Sequence, residues 1–141
     1  MKYILTLFIF STTTLCVAQT DAKIYDIITE VSADRIESDI TTLAGFGTRN
    51  TFSDTISNTR GIGAARRWIK SQFDEISSTC SGCIDVFYQK DLVLAEGNDR
   101  VPIDTWVVNV VAVQKSRTDS NRYVIMSGDI DSRNSDGGNF T

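Results

Sequence analysis

Asp129 and Asp131 stand just beyond the short apolar run Tyr123-Val-Ile-Met126, separated from it only by Ser127 and Gly128. Two carboxylates one residue apart are costly to hold together unless a cation, a hydrogen-bond network or water compensates them. The run itself is rich in β-branched residues, the pattern of a strand buried on both faces. In open α/β sheets ligands gather beyond the carboxyl ends of strands, which is where this pair falls. Asp129 and Asp131 are therefore the candidate cation-holding residues, with Ser132 and Arg133 beside them to orient Asp131 through hydrogen bonds. The plain alternative is a polar strand end whose carboxylates bond turn amides or face water. Asp136 reads as a turn or cap residue.

The chain has 141 residues, 41% hydrophobic and 23% charged, with a net charge of −4. These values describe an ordinary globular domain with a modest core. The 14 basic residues are scattered, so nucleic acid is not an expected partner. Histidine is absent. That excludes a Ser-His-Asp triad, a Cys-His pair and any histidine-containing metal cage built from this chain alone.

The elements that must position the acids can be read in order. Ile24, Ile27, Ile28 and Val31 recur at helical spacing. Ser32 is placed to cap a second helix carrying Ile36, Ile40, Leu43 and Ala44 on one face and ending at Gly45. Residues 46–59 are small and polar without periodicity, and predict an ordered loop anchored by Phe46, Phe52 and Ile56. Arg60 to Ser77 is the strongest helix, with Ile62, Ala65, Ile69, Phe73 and Ile76 as its stripe and Arg66, Arg67, Lys70 and Asp74 facing water. Gly61 and Gly63 in its first turn predict close packing rather than a phosphate cradle, since no strand precedes them. Ile84 to Gln89 alternates as a strand, with Leu92 to Leu94 as an extension. Trp106 to Val113 predicts a central strand, in which Asn109 needs a partner if buried. Its neighbour in sequence, Tyr123 to Met126, is close enough to pair with it antiparallel.

Residues 1–18 read as an export signal: Lys2, the apolar Tyr3 to Phe10, and small residues leading to cleavage near Ala18. The apolar stretch is too short for a convincing membrane span, so the mature chain, 19–141, is expected to be secreted or periplasmic with no membrane span. Cleavage removes Cys16 and leaves Cys80 and Cys83 as an even pair. In an oxidising compartment Cys80-Ser-Gly-Cys83 is expected to close a small disulfide loop, with a redox dithiol or half a zinc site as the sharper alternatives. The expected class is α/β, a mixed β-sheet flanked by helices, of which this sequence represents the N-terminal part only.

Taken as an ordered set, four pieces resemble the secreted zinc aminopeptidases of the bacterial leucyl aminopeptidase and aminopeptidase Y type. They are Leu43-Ala-Gly-Phe-Gly-Thr-Arg49-Asn-Thr, Arg60-Gly-Ile-Gly-Ala-Ala-Arg66-Arg-Trp-Ile69, Asn109-Val-Val-Ala-Val113 and Tyr123-Val-Ile-Met-Ser-Gly-Asp-Ile-Asp-Ser132. The resemblance runs from about Ile24 to Asp136 and implies a zinc-exopeptidase-like fold. It implies two zinc ions per site, a peptide or protein substrate with a free N-terminus, and a general base and further ligands beyond residue 141. Catalytic residues are thus expected outside this sequence, and the chain alone is expected to be inactive.

In that family the strand ends in Gly-His-x-Asp, so Asp131 falls on the bridging aspartate and Asp129 replaces the histidine. An aspartate there still binds zinc, but its extra negative charge raises the pKa of bound water. It also hardens the site toward manganese or magnesium. A non-catalytic binding or structural descendant of the peptidase fold is the competing expectation. A nucleotide-sugar transferase using Asp129-Ile-Asp131, or a calcium loop with Asp136, fits the sequence less well.

Overall fold

A computed structural model of the protein describes residues 21–97, 99–116, 118, 121 and 123–132. The export signal, Cys16, Arg133 and Asp136 lie outside the described residues. The chain divides into two compact units, residues 1–36 and 37–141. Among the described residues no helix is long and apolar enough to cross a membrane.

The first unit holds α1 (Ala22–Thr29) and the start of α2 (Ala33–Gly45). Asp21 caps α1 by accepting a hydrogen bond from the Lys23 amide at 2.9 Å. Ser32 caps α2 as its position predicts, its hydroxyl accepting from the Arg35 amide at 3.1 Å.

The second unit is built on α3 (Gly61–Thr79), β1 (Ile84–Val93) and β2 (Thr105–Gln114). β1 and β2 pair antiparallel from Ile84↔Gln114 to Val93↔Thr105, and α3 packs against both. The expected α/β class is what forms, with a two-stranded antiparallel sheet among the described residues. Asn109 is exposed rather than buried, and its side-chain amide donates across the ladder to Gln89 Oε1 at 2.8 Å. Cys80 and Cys83 form the disulfide, with Cα atoms 5.4 Å apart. Beside it the Ser77 hydroxyl donates to the Ile84 carbonyl at 2.7 Å, tying the end of α3 to the start of β1.

The core sits at the first turns of α3, where Ile62, Ala64 and Ala65 are buried. Arg60 supplies no side-chain cap to this helix. Its leading amides are satisfied instead by the 46–59 loop: Gly61 donates to the Phe46 carbonyl at 2.9 Å and Gly63 to the Asp54 carbonyl at 3.1 Å. Between them Ile62 donates to the Ser53 hydroxyl at 2.9 Å, and that buried hydroxyl donates in turn to the Asn50 carbonyl at 2.6 Å. The orphan donors of a helix start thus find acceptors from a distant segment rather than from a local cap. The approach needs glycine. A Cβ on Gly61 would lie 2.3 Å from the Asp54 carbonyl oxygen, and one on Gly63 2.2 Å from that of Thr55.

The loop is ordered, as its anchors predict, but only some of those anchors serve. Phe46 packs against Trp68 with ring centroids 6.3 Å apart. Ile56 instead is 87% exposed, because the loop is held by polar bonds where the sequence suggests an apolar pin. Asp54 Oδ1 accepts from the Ile56 and Ser57 amides, each at 2.8 Å, and Arg67 donates to the carbonyls of Thr55, Ile56 and Ser57.

The expected strand at Tyr123 to Met126 is the main departure. The segment has no strand partner among the described residues, and its exposure runs from 82% at Tyr123 to 93% at Met126. β2 pairs with β1 instead. An apolar run buried on both faces needs neighbours on each side, and its composition does not say which segments provide them.

Gly63→Ala is expected to destabilise the fold by about 1–3 kcal/mol through overpacking against backbone. Gly45→Ala, where a Cβ meets nothing within 4 Å, should be neutral or stabilising by about 0.5 kcal/mol. Urea denaturation of the two variants checks the contrast.

The Ser57 and Ile56 amides, with Arg60, hold the Asp54 carboxyl below its ordinary value of 3.8. Since its folded pKa lies below the unfolded one, its contribution is fully present above the unfolded value and is lost as pH falls through the folded value. Acid titration of stability should therefore steepen below the ordinary carboxylate range, and Asp54→Asn should flatten that limb.

Candidate functional site

Past β2 lies the segment 123–132, which has no regular secondary structure and in which Asp129 and Asp131 are exposed while Ile130 and Ser132 are half-buried. The half-buried residues are fastened to Arg49. Ser132 accepts from the Arg49 amide through its hydroxyl at 2.8 Å and donates its own amide to the Arg49 carbonyl at 3.3 Å. The Arg49 guanidinium donates through Nε to the Ile130 carbonyl at 3.0 Å and through Nη1 to the Leu43 carbonyl at the end of α2. One arginine thus ties the residues on either side of Asp131 to α2.

Both carboxylates are left open. Neither takes part in an ion pair or hydrogen bond among the described residues, so four oxygens are available on a tethered backbone. These are hard donors suited to a divalent cation. They form only part of a coordination shell: among the described residues no third His, Cys, Asp or Glu joins them. A divalent ion held by this pair would need further donors from elsewhere. Cys80 and Cys83 are engaged with each other in the disulfide and offer no thiolate.

Arg66 is what the sequence reading missed. It faces inward, 8% exposed, rather than toward water. Its Nε is buried without a hydrogen-bond partner among the described residues. Burial pushes the guanidinium pKa down from its ordinary value, while the negative charge of Asp131 favours the charged form. The signal was present: Arg66 lies four residues after Ile62 and three before Ile69, on the apolar stripe itself. A cleft of ≈730 Å3 opens beside it, lined by Gly63, Tyr88, Lys90 and Trp106 among others, and neither Asp129 nor Asp131 lines it.

No family model matches the chain, and no solved structure matches it. Curated proteins do. The chain is 37% identical over 115 residues to a protein of Pyrenophora teres f. teres, covering 82% of this chain and 25% of that one. It is 36% identical over 115 residues to one of Pyrenophora tritici-repentis (82% and 26%). A protein of Pyricularia oryzae is 35% identical over 123 residues (85% and 24%). All three are named probable zinc metalloproteases. The chain spans about a quarter of the length of these relatives, so the likeness covers most of this sequence and a minor part of theirs.

Arg66→Met keeps the volume of the buried stem and removes an unpartnered polar atom. Its stability in denaturant should equal or exceed that of the native chain by about 1 kcal/mol, whereas Arg66→Ala, which leaves a void, should be less stable than either.

Proposed function

We propose that this chain is the N-terminal part of a secreted, metal-dependent aminopeptidase. The observation that carries the reading is the open pair Asp129 and Asp131 on a tethered backbone, in a chain whose relatives are named zinc metalloproteases. In this reading Asp131 and Asp129 would be the residues of this chain that hold the zinc ions. When bound, such ions acidify a shared water and polarise the scissile carbonyl. Ser132 keeps the Asp131 backbone in place, and Arg133 is assigned to orient its carboxylate. The general base and remaining ligands come from sequence beyond residue 141, as does the pocket for the substrate's first residue. Export requires removal of residues 1–18, so the secreted protein begins at Gln19, in a compartment that maintains the Cys80–Cys83 disulfide.

The aspartate at position 129 also supports a second reading, a metal-free descendant that keeps the fold without the reaction. Two acids repel each other when no cation lies between them, and the family's neutral imidazole is absent.

The deciding experiment uses the full-length protein. Zinc, manganese and magnesium binding should be lost in Asp131→Asn, and cleavage should occur for peptides with a free N-terminus but not for their acetylated counterparts. Equal cleavage of acetylated peptides would remove the aminopeptidase assignment. If the native protein binds none of these ions while Asp129→His gains both zinc and activity, the metal-free descendant is the correct reading.

A further inference from the structure

We infer that Arg49 is a positioning residue for Asp131, holding the carboxylate in place without touching it; the inference rests on the metal-binding reading of Asp131 above. Asp131 lies in a segment that lacks a strand partner among the described residues, so no sheet ladder fixes its backbone. What fixes it is Arg49. The residue before Asp131 is held through its carbonyl, by Nε at 3.0 Å. The residue after it is held twice, through the Ser132 hydroxyl at 2.8 Å and the Ser132 amide at 3.3 Å.

The chemistry of the fork explains why an arginine stands there. Nε and Nη1 point to two carbonyls from different parts of the chain, Ile130 and Leu43. The planar guanidinium joins them in a fixed geometry that a lysine ammonium, a single point on a flexible stem, does not reproduce. Because Arg49 directs its backbone amide, Nε and Nη1 to hydroxyl and carbonyl oxygens, it leaves the carboxylate oxygens of Asp131 open to a cation. An arginine paired directly with Asp131 would compete with the metal. Ligand orientation by such outer contacts affects metal affinity by roughly 10–100-fold.

The test compares Arg49→Lys, Ser132→Ala, Ser132→Thr and Asp131→Asn in the full-length protein. Zinc affinity is measured by calorimetry, and the thermal midpoint is measured on metal-free samples. Arg49→Lys and Ser132→Ala should weaken zinc binding by roughly 10–100-fold, and Ser132→Thr, which keeps the hydroxyl, should restore it. The metal-free midpoint of Ser132→Ala should stay close to native. If Arg49→Lys fails to fold, the serine pair decides the matter. Native zinc affinity in Ser132→Ala, with Asp131→Asn abolishing binding, would overturn the role of Arg49 while leaving Asp131 as a ligand. Native affinity in Asp131→Asn would overturn both.

Discussion

Main chain meets main chain where the 46–59 loop crosses the first turn of α3, and the rest of the second unit follows from that contact. Gly61 and Gly63 admit the Asp54 and Thr55 carbonyls at distances a side chain would forbid. In return the loop caps the helix amides that Arg60 leaves open. Packing and polar satisfaction are therefore the same event here. The buried residues Ile62, Ala64 and Ala65 collect at this point, so the contact is also the centre of the core.

From that centre the loop reaches the acids. Arg49 belongs to the segment whose far end is locked on α3, and its guanidinium bridges the end of α2 to the backbone around Asp131. A segment with no ladder among the described residues is thus located by a chain of contacts from Gly63 through the loop to Ser132. The sheet contributes differently. β1 and β2 pair with each other from end to end and pack against α3, but the exposed Trp106 and Leu92 show that the pair also carries apolar surface facing outward.

Local signals were legible in the sequence, and non-local ones were not. The Ser32 cap, the glycines that allow close approach and the Cys80–Cys83 loop each follow from chemistry within a few residues. Arg66 was misread because charge was weighed above position, although helical spacing places it on the buried stripe. Ile56 was misread in the opposite sense, since apolar character suggested an anchor where Asp54 and Arg67 hold the loop instead. For Tyr123 to Met126 composition suggested a buried strand, and the described segment is neither a strand nor buried. The acids at 129 and 131 were visible as a pair, whereas their tether to a residue more than eighty positions earlier was not, because nothing in a sequence marks which carbonyl an arginine will find.

The bare segment at 123–126 carries a chemical label of its own. Met126 is one of two methionines in the sequence, the other being Met1, and its thioether stands almost wholly in solvent. Mild peroxide converts a thioether so placed to the sulfoxide, and a neighbouring strand laid over it slows that conversion. The oxidation rate at this one sulfur, read by mass, therefore reports whether the backbone leading to the two acids is bare or covered.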